Sequence, residues 1–131
     1  MNIFKKKVPE PSWNEFEKYT LQERLQFSER LKNKYPELVP IIIKKKFGDK
    51  ILQDIDKHRY LIPKNLPMSN LLFIIRKKIT LLETQALFVF VEKNKESFLV
   101  ASNTIIGEMY EQHKSNDNFL YLVYTTENTF G

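Results

Sequence analysis

The spacing of apolar positions changes along the chain, and each change marks an element. Leu21, Leu25 and Leu31, with Ser28 among them and Phe27 four residues before Leu31, recur at helical spacing. Thr20 and Glu23 stand at the separation of a capping box, in which a hydroxyl satisfies an orphan amide and a carboxylate reaches back. Pro36 disfavours helical backbone in the residue before it, so the helix should stop near Tyr35. A shorter turn is expected around Trp13 and Phe16. Neither segment can bury its apolar side alone, so both need a surface from later in the chain.

That surface reads as a sheet. Residues 39–43 are β-branched apart from Pro40, which predicts a strand that is either an edge or entered at the proline. Residues 60–62, closed by Pro63, predict a second strand after a polar loop holding Gly48 and Asp49. Met68, Leu71, Leu72, Ile75 and Ile79 then mark one helical face, at spacings of three and four. Residues 86–91 form a nearly continuous apolar run, the signature of a strand buried on both faces. A polar stretch over 92–103 precedes a helix carrying Ile106, Met109, Tyr110 and His113 on one side. Residues 119–124 are strongly β-prone and should lie in the middle of the sheet, ahead of a polar tail. The order is helices, then β, β, α, β, α, β, which suits an α+β sheet with helices against it and matches the element order of a β-grasp. The helix of residues 21–35 is expected on the face opposite the helix of residues 68–79.

Composition narrows the chemistry. The 131 residues are enough for one domain, and 42% hydrophobic content with ten Phe and six Tyr supplies a core. There is no cysteine, hence no disulfide, thiolate metal site or cysteine nucleophile. With only Gly48, Gly107 and Gly131, no dinucleotide fingerprint or phosphate-cradling loop can be written. The net charge of +5 comes from residues 1–60, which carry 14 basic and 9 acidic side chains, against seven of each afterwards. Lys5-Lys6-Lys7, Lys44-Lys45-Lys46, Lys57-His58-Arg59 and Arg76-Lys77-Lys78 suit a solvated surface, an acidic partner or an anionic membrane. The longest apolar run is far shorter than the roughly 20 residues that span a bilayer. The amino terminus has lysines without a following apolar segment, so it does not read as a secretory signal, and a cytoplasmic location is expected.

Seven blocks resemble the GABARAP-type autophagic ubiquitin-like modifiers. They are Tyr35-Pro36, Val39-Pro40-Ile41-Ile42, Ile55-Asp56-Lys57 with Tyr60-Leu61-Ile62-Pro63, Ile75-Arg76-Lys77-Lys78-Ile79, Ala86-Leu87-Phe88-Val89-Phe90-Val91, Met109-Tyr110-Glu111-Gln112-His113-Lys114 and Phe119-Leu120-Tyr121. The chain then closes on Glu127-Asn128-Thr129-Phe130-Gly131. The resemblance implies a four-stranded mixed β-grasp sheet with two helices added at the amino terminus. Residues 1–35 would then be a helical extension, and 36–131 the ubiquitin-like domain with its conjugation tail. It implies a modifier that is joined through Gly131 to phosphatidylethanolamine on autophagosomal membranes and recruits receptors bearing aromatic-x-x-aliphatic peptides. Activating and transferring enzymes perform the conjugation, a processing cysteine protease reads Phe130, and the chain itself needs no cofactor or metal.

Such a peptide adds as a strand to the edge at residues 59–62, where backbone hydrogen bonds supply affinity and side-chain pockets supply selectivity. By resemblance, Leu31, Pro40, Ile42, Arg59, Leu61 and Phe119 form the pocket for the ligand's aromatic ring. Tyr60, Ile62, Pro63, Leu66, Leu71 and Ile74 form that for its aliphatic residue. Many of these side chains also read simply as core. Arg59/Leu61 and Tyr60/Ile62 alternate, yet a strand beside helices is covered on both sides.

The chain departs from the family pattern at Phe27, where an acidic residue is common beside the ring pocket, and at Leu38, where an arginine is common. It also departs near residues 46–50, within 92–103 and over 8–19. Two other readings compete with the modifier. No serine sits in a nucleophile motif and His58 and His113 have no partners at metal spacing, which argues against an enzyme. A basic module binding nucleic acid or anionic membrane is the alternative, but the lysines do not interleave with an aromatic platform.

Overall fold

The computed structural model describes residues 16, 18–81 and 85–126. Trp13 and the whole tail from residue 127, with Phe130 and Gly131, lie outside them, as do Lys5-Lys6-Lys7. Phe16 and Lys18 are helical, which is as much of the first expected helix as the described residues hold.

Helix α1 spans Leu21–Lys34 and begins with the expected box: Thr20 Oγ1 accepts from the Glu23 amide at 3.1 Å, and Glu23 Oε1 accepts from the Thr20 amide at 2.8 Å. It ends at Tyr35, whose N–H donates to the Leu31 carbonyl, one residue before Pro36. Its buried side differs from the leucine stripe. Leu21 is exposed and Leu25 half-buried, whereas Phe27 and Leu31 pack against the sheet and Ser28 is fully enclosed. The polar Ser28 is tolerated because its hydroxyl bonds to the Asp117 carbonyl at 2.7 Å.

Strand β1 (Leu38–Lys45) pairs antiparallel with β2 (Arg59–Pro63), and helix α2 (Met68–Lys78) follows. Strands β3 (Phe88–Lys93) and β4 (Glu96–Leu99) form a hairpin, helix α3 covers Ile106–His113, and β5 is Leu120–Thr125. The order across the sheet is β2-β1-β5-β3-β4, with β5 parallel to β1 and antiparallel to β3. The α+β β-grasp arrangement and the central position of β5 are therefore as expected, and Leu120, Leu122, Val123 and Tyr124 are all buried.

The sheet has five strands, not four. The fifth, β4, lies inside the stretch that reads as polar, because Glu96-Ser97-Phe98-Leu99 has no β-branched run. What makes it a strand is the turn: Lys93 pairs with Glu96, leaving Asn94 and Lys95 as a two-residue loop with φ of 53° and 66°. Two successive positive φ values match the twist of a hairpin, and Asn tolerates that region better than most residues. β3 also starts two residues later than the apolar run, with Ala86 exposed and Val89, Phe90 and Val91 buried.

Pro40 sits where its missing N–H costs nothing. Ile43 N–H donates to the His58 carbonyl, so the hydrogen-bonded pairs with β2 fall at residues 39, 41 and 43, and Pro40 opposes Leu61 at a non-bonded position. On its other side β5 begins pairing only at Ile41.

The alternation of β1 divides the core into two layers. Val39, Ile41 and Ile43 join Met68, Leu71, Ile75, Ile106, Met109 and Tyr110 beneath α2 and α3. Ile42 joins Phe119 and Phe16 on the opposite face, with Phe27 and Leu31 of α1 against them. α1 and α2 thus occupy opposite faces, as the pattern predicts.

Candidate peptide edge and tail root

β2 is an edge strand of the sheet. Its register turns the backbone groups of Tyr60 and Ile62 toward β1, so those of Arg59 and Leu61 face outward along the edge. All four side chains are nonetheless buried, at 8% exposure for Arg59, 3% for Tyr60, 1% for Leu61 and 4% for Ile62. The strand is covered on both faces, and only its backbone edge is presented.

On the α1 face the structure brings together several residues expected to receive an aromatic ring. Ile42 and Phe119 are both fully buried in one cluster, with Leu31 packed on it. Pro40 is buried on the same face of β1 as Ile42, and Leu61 opposes it. The cluster also holds a residue that the motif reading did not place there. Phe16 is 1% exposed, with its ring 5.2 Å from Phe119 in an edge-to-face arrangement and 6.4 Å from Phe27 in a stacked one. The Arg59 guanidinium lies 5.7 Å from the Phe16 ring centre, within cation–π range. Phe27 is therefore part of an aromatic cluster. Phe16 and Phe27 stand eleven residues apart, about three helical turns, but a bend at Tyr19 and extended Thr20 break the helix between them, so the fold and not that spacing sets their stacking.

On the other face, Tyr60, Ile62 and Leu71 belong to the main core, and Leu71 has no exposed surface. Pro63, Leu66 and Ile74 are partly exposed, so they supply what is accessible of the second expected pocket. Lys78 Nζ, at the end of α2, lies 5.8 Å from the Tyr60 ring.

Asp117 organises the turn before β5. Its carboxylate accepts from Arg24 Nε and the Phe119 amide, each at 2.9 Å, and from the Tyr121 hydroxyl. Burial, and then the neighbouring Asp117, push the Tyr121 phenol well above its ordinary range. These bonds fix Phe119 at the floor of the ring cluster and couple it to α1.

A second carboxylate holds the far end of β5. Asp49, 8% exposed in the β1–β2 loop, accepts from the amides of Ile51 and Leu52 and, through its other oxygen, from Thr125 Oγ1 at 2.9 Å and the Thr126 amide at 3.1 Å. Burial alone would raise its pKa, but these bonds prevail and hold the carboxyl well below the usual range. Asp49 thus fastens the end of β5 and Thr126 to the β1–β2 loop. The sequence placed Asp49 in this polar loop beside Gly48, whose φ is 89°, without marking its contacts to Thr125 and Thr126.

Several cations of the basic clusters are held by local partners. Lys44 pairs with Glu92 at 3.1 Å, Lys45 Nζ donates to the Leu52 carbonyl, and Arg76 donates to the Gln85 carbonyl. An open basin of about 700 Å³ lies between α1 and the β3–β4 hairpin, lined among others by Arg24, Lys44, Glu92, Asp117 and Tyr121. Besides the charges of the pairs just described it carries those of Lys93 and Lys95, and no motif pointed to it. Among the described residues no three His, Cys, Asp or Glu side chains converge on a metal position, and no helix is long and apolar enough to cross a membrane.

A β-grasp sheet with helices on both faces defines a ubiquitin-like protein. The family model for "Autophagy protein Atg8 ubiquitin like" matches residues 23–131. Autophagy-related protein 8a of Arabidopsis thaliana is 39% identical over 111 residues, covering 85% of this chain and 87% of its own. Autophagy-related protein 8 of Schizosaccharomyces pombe is 36% identical over 113 residues, covering 86% and 89%, and that of Mycosarcoma maydis is 37% identical over 114, covering 86% and 92%. The chain belongs to the Atg8 family of autophagy-related ubiquitin-like modifiers.

Proposed function

We propose that this chain is conjugated through Gly131 to phosphatidylethanolamine, and that on autophagosomal membranes it recruits receptors carrying aromatic-x-x-aliphatic peptides. The observation that carries the reading is an edge strand, β2, whose two faces are backed by separate apolar clusters. A peptide extended along that edge gains backbone hydrogen bonds at Arg59 and Leu61. Its alternate side chains meet the Ile42/Phe119 cluster on one face and the Pro63/Leu66/Ile74 surface on the other. Residues 1–35 act in this scheme as an extension that completes the ring pocket, and residues 36–131 as the modifier proper.

The tail chemistry belongs to partner enzymes. A carboxylate forms no amide at neutral pH unaided, so it must be adenylated by ATP with loss of pyrophosphate, transferred to an enzyme thiol with loss of AMP and then attacked by the lipid amine, which displaces the thiol. Glycine at the end leaves the carbonyl open to attack and fits a narrow channel. Phe130 serves as the handle for the processing protease and activating enzyme. A two-chain lipid then holds the protein on the membrane between encounters with cytoplasmic partners.

The test is reconstitution with the activating and transferring enzymes and vesicles containing phosphatidylethanolamine. Wild-type chain should acquire lipid and the Gly131 deletion should not. Lipidation of both, or of neither, would sink the conjugation reading.

A further inference from the structure

The ring pocket assigned to a ligand is already filled from within. Phe16 meets two of its members, Phe119 edge-on and the Arg59 guanidinium at 5.7 Å, and is flanked by Phe27 in a stack and Tyr19 at 6.1 Å edge-on. Ile42 and Phe119 have no exposed surface with Phe16 in place. At the packing density of a protein interior, a second aromatic ring cannot enter this cluster while the first remains.

The cap of α1 and its bonds to Asp117 do not run through Phe16. Phe16 and Lys18 lie on a helical turn distinct from α1, and the two are joined by Tyr19, in a bend, and extended Thr20. Thr20 and Glu23 cap α1 by themselves, and Ser28 and Arg24 fasten α1 to Asp117 independently of Phe16. Displacing the turn that carries Phe16 would cost the Arg24 bond to the Tyr19 carbonyl and the ring contacts with Phe27, but would leave the cap of α1 and its bonds to Asp117 in place.

We infer that Phe16 is an intramolecular competitor for the aromatic pocket, which a ligand's ring must displace before it binds. The inference rests on the peptide-edge reading and adds regulation to it. A closed pocket reduces apparent affinity by the fraction of time it stands open. It favours ligands whose ring and strand together repay displacement of a packed phenylalanine. Any partner that draws the segment before Thr20 away would sensitise the chain to receptors.

The experiment titrates the full chain with a glutamate-flanked peptide containing Trp-x-x-Leu and with the same peptide carrying Ala in place of Trp. Phe16→Ala should bind the Trp peptide roughly tenfold more tightly than wild type, with no gain for the Ala peptide. In wild-type protein, proton cross-relaxation between the Phe16 and Phe119 rings should disappear on saturation with the Trp peptide. That second measurement needs no mutant and decides the matter if Phe16→Ala folds poorly. Persistence of the Phe16–Phe119 contact at saturation would overturn the inference, as would unchanged or weaker binding by a folded Phe16→Ala. Either result, obtained with wild type that binds and is weakened by Leu61→Ala, would leave the peptide edge standing. Absence of Trp-peptide binding by wild type and Phe16→Ala alike would remove both.

Discussion

Asp49→Ala should loosen the tail root without touching the sheet. The wild-type carboxylate takes two amides from its own loop, at 2.9 and 3.1 Å, and three donors from Thr125 and Thr126 at 2.9, 3.1 and 3.3 Å. Hydrogen bonds to a charged acceptor are worth about 1.5–3 kcal/mol each, but they share one group and water near this loop recovers part of the loss. A net cost of about 3 kcal/mol is therefore expected, and for a chain of 131 residues this corresponds to a drop of roughly 10 °C in Tm. Thermal unfolding at neutral pH measures the cost, and amide exchange at Thr126 locates it. The pH dependence gives an independent check. The folded carboxyl titrates below its unfolded value, so its contribution is present above about pH 4 and is lost as pH falls toward the folded pKa. The stability gap between wild type and Asp49→Ala should shrink steadily through that acidic range. A gap under about 0.5 kcal/mol at neutral pH, or one that stays constant into acid, would refute the reasoning.

Gly107→Ala should destabilise by about 1–3 kcal/mol in urea unfolding, because an added Cβ would stand 2.8 Å from the Lys64 carbonyl oxygen. Leu61→Ala should weaken Trp-peptide binding by about 1–3 kcal/mol in calorimetry. Unchanged affinity in both Leu61→Ala and Tyr60→Ala would remove the edge site. His113 packs on Phe98 with ring centres 4.6 Å apart, and burial followed by Lys93 lowers its pKa. The fold thus prefers the neutral ring, so stability should fall as pH drops below about 6.5, and His113→Gln should flatten that part of the profile.

Much of the framework was written in local chemistry. A capping box, a proline stop and a change of period each act over a few residues, and Thr20, Pro36 and the 119–124 run placed α1 and the central strand without reference to the rest of the chain. Long motif blocks carried the family. What local chemistry could not show was anything that depends on two distant segments meeting. β4 became a strand because an Asn94-Lys95 turn folded it against β3, not because its own residues favour one. Leu21 was expected inside and lies exposed, while Ser28 is enclosed because Asp117, far along the chain, supplies its partner. Asp49 reads as a loop residue until the end of β5 arrives beside it. Most of all, the aromatic cluster draws residues from α1, β1, β2 and the turn before β5, so its shape exists only after the sheet closes. Phe16 joins it because the fold brings that residue into contact with Phe119, a proximity that no periodicity encodes.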